Sequence, residues 1–422
     1  MYQKKVAILG GQRTPFARAG TQFANETNLT MASAVMKGLV DSFGLKDKTL
    51  GDVALGAVIN QSRDWNLARE VTLNSGLAWE TPAYGIQRAC GTSLEAAIAI
   101  ANKITLGQIE NGIAGGVDSM SDVPVFYSPA LAKRVLHASK AKSMADQLKV
   151  WMGLSLKELK PSYPAVTESK TGLSMGQSCE LMAQEWKISR QEQDELALAS
   201  HKTALKAYEN GFYKNLLMPY QGLERDNNVR ADTSMERLSK LKTAFERSSK
   251  GTLTAGNSSP LTDGASCAFL ASEEWAQKNN HEPLAYLVDC EVAAVNFKKE
   301  GLLMAPAYAV GRMLARRKES LQDFDFYEIH EAFAAQVLCT LKAWESESFC
   351  RDRIGLSGAL GSIDRKKMNV VGGSVALGHP FGATGTRVLV TAAKLLKQAG
   401  HGRALVSICT GGGMGVVAIL ER

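Results

Sequence analysis

Residues 382–413 read GATGTRVLVTAAKLLKQAGHGRALVSICTGGG. Small residues open the stretch, an apolar-periodic helix follows, then a strand, then a run of glycines. The same succession begins at residue 91, in GTSLEAAIAIANKITLGQIENGIAGG. Two copies of one turn–helix–strand–glycine pattern point to a duplicated α/β unit; two unrelated βα units would carry the same pattern. Further strand-like runs are VAILGG from residue 6, GIAGGVDSMS from 112, NVVGGSVALG from 369 and ALVSICTGGGMGVVAILE from 404. They alternate with helical stretches, as in an α/β protein.

The chain has 422 residues, enough for two or three domains around a large core. Residues 122–250 are richer in Lys, Ser, Met and Glu and poorer in strand signals. They are expected to form a mostly helical insertion between an N-terminal half (1–121 with 251–285) and a C-terminal half (286–422). Within the insertion, residues 128–164 hold seven Lys/Arg against Asp146 and Glu158, with Leu131, Val135, Leu136, Met144, Leu148, Trp151 and Met152 among them. Such a basic amphipathic segment fits a membrane surface or a partner, or equally a lid with a solvated basic face.

A hydrophobic content of 45% with 22% charged residues is that of a globular protein. No apolar run approaches the roughly 18 residues of a membrane helix. The opening MYQKKVAILGGQRTPF lacks a signal-peptide pattern, so a cytoplasmic location is expected. Seven scattered cysteines without CxxC pairing argue against a disulfide framework or zinc ribbon. The net charge of +7 suits an anionic ligand or surface, and no nucleic-acid signature accompanies it.

Four segments could carry chemistry. In YGIQRACGTSLEAAIAIANKI, residues 84–104, Cys90 stands just before a helix whose apolar positions are Leu94, Ala97, Ile98, Ala101 and Ile104. Thr92 and Ser93 suit its first turn. The free N–H groups and positive dipole end of a helix lower a thiol's pKa and favour the thiolate; on this stretch alone Cys90 reads as readily as a small buried hydrophobe, since buried cysteine is common. The second segment is YEIHEAFAAQV, residues 327–337, where His330 and Glu331 lead an apolar helix. A metallohydrolase HExxH would need a second histidine at Ala334. The third is GGSVALGHPFGATGTR, residues 372–387, where His379 lies in a glycine-rich loop of the kind that lets backbone approach a ligand. The fourth is CTGGGMG, residues 409–415, where Cys409 precedes backbone N–H groups suited to an oxyanion. A zinc site made from His330, His379 and cysteines is the competing reading.

In combination these segments resemble the thiolase family. Its motifs stand in family order: GGQRTPFAR, Cys90 at its helix, GGVDSMS, TLTAGNSSPLTDGA, HEAFA, GGSVALGHPFGATG and CTGGGMG, from about residue 5 to the C-terminus. The HEAFA variant resembles the degradative 3-ketoacyl-CoA thiolases that form β-subunits of fatty-acid oxidation complexes. The resemblance implies the five-layered α-β-α-β-α fold with an inserted loop domain, and at least a dimer. It implies Cys90 as acyl-accepting nucleophile, His379 as its base and Cys409 as second acid/base. His330 with His379 would bind the thioester oxygen, and the N–H groups of Cys90 and Gly411 would form a second oxyanion hole. Glu331 would orient the loop. Met175, Arg230 and Ser259 would bind CoA, which is a substrate; no metal and no permanent cofactor is expected. A hydratase/dehydrogenase α-subunit is an implied partner, and the 128–161 segment its expected contact if it does not meet a membrane. Three positions depart from many relatives: Gln87 stands for Asn, Leu94 for Gly and His330 for Asn.

Four functions are open at this point. A thiolase would cleave 3-ketoacyl-CoA with CoA. Alternatives are a biosynthetic acetyl-CoA acetyltransferase running the condensation, or a ketoacyl-synthase-like enzyme with a Cys-His-His site, for which Cys409 is superfluous. A non-catalytic lipid-carrier or scaffold subunit would need neither Cys90, His379 nor Cys409.

Overall fold

The computed structural model describes residues 4–422. Its strands are β1 (Val6–Arg13), β2 (Ala17–Arg18), β3 (Asp52–Gly56), β4 (Ala83–Gly85), β5 (Asn111–Asp118), β6 (Thr262–Ser272), β7 (Ala285–Ala294), β8 (Phe326–Ile329), β9 (Arg403–Thr410) and β10 (Met414–Glu421). They run in the order β4-β3-β5-β6-β1-β7-β10-β9-β8, with β2 paired off β6. The order is built twice. Outward from the centre, β1-β6-β5-β3 on one side matches β7-β10-β9-β8 on the other. The matched pairings share direction: β1/β6 and β7/β10 are antiparallel, β6/β5 and β10/β9 antiparallel, β5/β3 and β9/β8 parallel. Two unrelated βα units would not reproduce three pairings in sequence, so the unit is duplicated. Within the sheet, among the described residues, the halves pair through three residue pairs, Val6–Ile8 against Ala285–Leu287.

Alternation of side chains along the strands defines the layers. Ala7, Leu9, Ile113 and Val117 face an outer cluster with the helix Asn28–Ser42. Leu405, Val417 and Ile419 face the opposite outer cluster with the helices Ala305–Arg317 and Ala334–Glu345. Ile8, Ala114, Val406, Ile408, Val416 and Ala418 turn inward onto the helices Thr92–Thr105 and Thr384–Ala399. Those two helices form the middle of five layers.

The middle position explains a difference from the sequence pattern. Leu94, Ala97, Ile98, Ala101 and Ile104 are buried, but so are Ala96 and Ile100 on the other flank. An amphipathic stripe suffices for a helix with one broad wet face; this one keeps only a narrow edge outside the core, along Glu95, Ala99 and Asn102, of which Asn102 is exposed. Each large apolar side chain buried here contributes about 1.5–3 kcal/mol. The helix starts also touch. A Cβ on Gly385 would lie 2.1 Å from the Leu94 nitrogen, and the Thr386 N–H donates to Ser93 Oγ at 2.9 Å. Glycine at 385 is what allows the two loops preceding these helices, one from each half, to meet.

Two local expectations are corrected. NVVGGSVALG forms no strand: it is a turn and a short helix, Ser374–Leu377, because Asn369 takes a left-handed φ of 46° and Gly372 one of 97°. Thr92 and Ser93 do open the first turn of their helix, but neither caps it: the N-cap is Gly91, without a side-chain bond. Thr92 Oγ1 instead accepts from the Arg88 N–H at 2.9 Å and donates to the Ala89 carbonyl at 2.7 Å, closing the cysteine loop.

Between β5 and β6 the chain forms the helices Pro129–Lys140, Met144–Trp151, Met175–Glu185, Arg190–Glu209 and Met235–Ser239. Among the described residues no helix is long and apolar enough to cross a membrane.

Candidate active site

Cys90 lies between β4 and the helix Thr92–Thr105, on a loop tensioned by Ala89, a non-glycine residue at φ 43°. Strain of this kind persists where surrounding structure over-determines the backbone. His330 follows β8 directly, and its N–H donates to the Ser407 carbonyl at 2.8 Å. Cys409 lies near the end of β9, the parallel neighbour of β8. His379 precedes the helix Thr384–Ala399, with its N–H donating to Thr262 Oγ1 at 2.7 Å. The carboxyl ends of parallel strands are the usual ligand-binding edge of an α/β sheet.

The structure brings three of these groups together. Donor atoms of Cys90, His330 and His379 lie within 4.8 Å of one another, and the two ring centroids are 4.1 Å apart. His330 Nε2 and His379 Nε2 are both buried without a hydrogen-bond partner. Their Nδ1 atoms are anchored, His330 to Ser374 Oγ at 2.8 Å and His379 to Thr384 Oγ1 at 2.6 Å. A thiol and two imidazoles are three of the four ligands of a tetrahedral zinc set, and the same groups are those nucleophilic acyl transfer requires.

Electrostatics keep the site neutral at rest. Burial pushes His379 down to about 3, with the buried Arg387 charge adding to it. Burial, His379 and Arg387 hold His330 well below its ordinary value. Burial pushes the Cys90 thiol up to about 12, against hydrogen bonds from the Gly411 N–H and its own backbone that pull it down. The expectation of a resting thiolate at a helix start is thereby corrected: desolvation outweighs the helix end. Cys409 is held well above the usual thiol range by burial and then by Cys90.

Glu331 ties the loops into one unit. Its carboxylate accepts from Asn369 Nδ2 at 2.6 Å, Ser200 Oγ at 2.8 Å and the Val375 N–H at 3.1 Å. Asn369 also clasps Ile329, accepting from its N–H and donating to its carbonyl, both at 2.9 Å. Ser200 belongs to the insertion, so the insertion is bonded to both histidine loops. Gly411 sits beside Met175: a Cβ there would be 3.7 Å from Met175 Sδ. Glu168 Oε1 accepts from the Gly412 N–H at 2.7 Å.

The residues expected to bind CoA do not share one place. Arg230 is exposed and, with Arg18, Arg237 and buried His201, lines a cavity of about 190 Å³ beside Ala255 and Gly256. Ser259 is absent from that lining; its hydroxyl donates to the Ala332 carbonyl at 2.9 Å. Met175 stands at the nucleophile.

Ser374, Thr384, Arg387, Ser200 and Asn369 escaped the sequence reading. Ser374 and Thr384 lie inside the glycine-rich motif, where their hydroxyls were the available signal. Glu328, on β8, is a further buried group with an unpartnered Oε1. Burial lifts its carboxyl from 4.5 to about 8. Because the folded value is the higher, its stabilising contribution is complete below the unfolded value and is lost as pH rises from 4.5 through 8. Glu328→Gln should therefore gain thermal stability relative to wild type between about pH 5 and about pH 9, by a few kcal/mol. Melting curves at the two pH values check it; an unchanged difference would refute a proton taken up at Glu328.

Sequence comparison places this geometry. Residues 6–274 match the thiolase N-terminal domain model and residues 281–422 the thiolase C-terminal domain model. The chain belongs to the thiolase family. It is 41% identical to a 3-ketoacyl-CoA thiolase of Pectobacterium carotovorum, over 99% of this chain and 96% of that one. It is 42% identical to a 3-ketoacyl-CoA thiolase of Photobacterium profundum, over 99% and 97%. The crystal structure of the Bacillus anthracis acetyl-CoA acetyltransferase superposes with a TM-score of 0.82 at 31% identity, covering 100% of this chain and 99% of that one.

Proposed function

We propose that the protein is a 3-ketoacyl-CoA thiolase of fatty-acid β-oxidation, cleaving its substrate with CoA to acetyl-CoA and an acyl-CoA two carbons shorter. The observation that carries this is the convergence of Cys90, His330 and His379 from loops of both halves, with Cys409 beside them.

His379 Nε2 takes the Cys90 proton as sulfur attacks the 3-keto carbon. The N–H groups of Cys90 and Gly411 receive the alkoxide that forms. The C2–C3 bond then breaks, and its electron pair passes into the enolate of acetyl-CoA, whose oxygen lies between His330 and protonated His379. The Cys409 thiol protonates C2, and acetyl-CoA leaves. CoA enters, gives its thiol proton to the Cys409 thiolate and attacks the acyl-Cys90 carbonyl. Cys90 departs and recovers its proton from His379. The neutral resting site fits this cycle, since charge arises only as the proton moves. Glu331 serves as the tie that orients the histidine loops.

Arg230 serves the phosphate or adenine side of CoA, Met175 the nucleophile end, and Ser259 acts through the 332 loop. Arg230→Ala should raise the KM for CoA roughly tenfold, with kcat changed less, since a surface charge contributes binding common to ground and transition states. CoA-dependent thiolysis of short, medium and long 3-ketoacyl-CoAs tests the function. Absence of cleavage at every chain length, with malonyl-thioester condensation present, would establish the ketoacyl-synthase reading instead.

The active unit is a cytoplasmic homodimer or higher oligomer; all seven cysteines are free thiols, as a reducing compartment maintains them. The segment 128–161 is its docking element for a hydratase/dehydrogenase α-subunit or a membrane surface. No residue of the helix Met144–Trp151 is buried, and Met144, Leu148, Met152 and Leu156 are exposed beside the lysines. Apolar surface of this extent calls for a partner. Deleting 128–161 should abolish complex formation or lipid binding, measured by co-sedimentation; unchanged binding to both would refute the assignment.

A further inference from the structure

We infer that Ser374, backed by Arg387, holds His330 with its proton on Nε2, while Thr384 holds His379 with its proton on Nδ1. The inference rests on the thiolase reading and assigns positioning residues that reading lacks. The two rings then offer opposite chemistry to one point: His330 a donor, His379 an acceptor.

The assignment follows from counting protons on the two hydroxyls. A hydroxyl has one proton to give and two lone pairs to receive. The Thr384 hydroxyl donates to the Pro380 carbonyl at 3.1 Å. That carbonyl is open to its one proton, and the base role given to His379 Nε2 requires the ring proton on Nδ1, so the contact at 2.6 Å is one in which the ring donates. The unpartnered His379 Nε2 is then a lone pair.

Ser374 is arranged the other way. Arg387, 3% exposed, donates from Nη2 to Ser374 Oγ at 2.5 Å. A guanidinium never accepts, so the serine proton is still to be placed. Among the described residues the remaining partner of that hydroxyl is His330 Nδ1 at 2.8 Å. Ser374 is fully buried, and leaving its proton unbonded would be unfavourable. The ring therefore accepts at Nδ1 and carries its proton on Nε2, aimed into the site. The backbone carrying the serine is held on both sides: the Val375 N–H is bound to Glu331, and a Cβ on Gly373 would lie 2.0 Å from the Glu331 carboxyl carbon.

The consequence concerns C2–C3 cleavage. When His379 takes the Cys90 proton, both rings present N–H to the enolate oxygen, one from the start and one created by the reaction. His330 in the opposite tautomer would present a lone pair to that oxygen and oppose it. Acyl exchange between a simple acyl-CoA and Cys90 forms no enolate and does not depend on the His330 proton.

The test is a double-mutant cycle with Ser374→Ala and His330→Asn, in which the asparagine amide has no tautomer to set. Wild-type thiolysis of a 3-ketoacyl-CoA is measured first; its absence would refute the thiolase reading and with it this inference. Given turnover, Ser374→Ala should lower kcat for thiolysis about thirtyfold while acyl exchange changes less than about threefold. In the His330→Asn background the same serine change should move thiolysis less than about threefold. Ser374→Thr, which keeps the hydroxyl, should recover most of the loss. An equal loss in both backgrounds, or an equal loss in thiolysis and exchange, would make Ser374 a packing residue and overturn the inference. Melting temperatures of all variants identify any loss that comes from unfolding.

Discussion

Cys90→Ala should abolish thiolysis, lowering kcat/KM on the order of 10⁴-fold, with the melting temperature nearly unchanged. No other thiol can replace it. Cys409 is taken up with proton transfer at C2, Cys290 lies on β7 in a cavity with Lys4, Lys5 and Arg422 and without the histidines, and Cys179, Cys267, Cys339 and Cys350 are sealed in cores. Cys90→Ser is the sharper variant. Serine keeps the size and the loop, but its hydroxyl is a far weaker acid, and His379 is a weak base when burial pushes it down to about 3. The wild-type thiol, held near 12 at rest, already needs proton transfer in concert with attack. The serine variant should therefore be as inactive as alanine. Steady-state assays of both variants beside wild type check this, and thiolysis above about one per cent of wild type would exclude Cys90 as the acyl carrier.

Cys409→Ser should divide the reaction. Cleavage of C2–C3 requires a proton delivered to carbon, and a serine hydroxyl is a poor donor there. Loss on the order of 10³-fold in thiolysis is expected, within the range for a missing general acid. Acyl exchange between a saturated acyl-CoA and Cys90 makes no carbanion and asks Cys409 only to pass a proton to or from the CoA sulfur, which is far more acidic than carbon, so it should fall less than about tenfold. An equal fall in both reactions would assign Cys409 to the shape of the site and not to proton transfer at C2.

The sequence made the chemistry legible before the fold placed it. Cys90, His330, His379 and Cys409 were recognisable because each stands beside glycines or a helix start, and the motifs around them occur in family order. The duplicated unit was visible in the repeated helix–strand–glycine pattern, yet the pattern could not distinguish duplication from coincidence until the strand pairings matched. The resting charge of the site was misjudged, because dipole arguments see one helix end and not the five layers that desolvate it. The second set of residues was hidden for a related reason. Ser374, Thr384 and Arg387 act through single hydrogen bonds between loops far apart in sequence, and no periodicity encodes such contacts. The strand expected at 369–378 failed because two residues with positive φ turn it, and Asn369 gave no warning that its side chain would clasp Ile329.

The central claim is that Cys90 carries the acyl group between two thioesters. Wild-type protein should be mixed with a 3-ketoacyl-CoA in the absence of free CoA, quenched in acid, digested and analysed by peptide mass spectrometry. The peptide containing Cys90 should carry an acyl group two carbons shorter than the substrate, with one acetyl-CoA released per acylated site, and added CoA should discharge it as acyl-CoA. An acyl group on Cys409 or any other residue, or cleavage that proceeds with Cys90 unmodified, would contradict the mechanism.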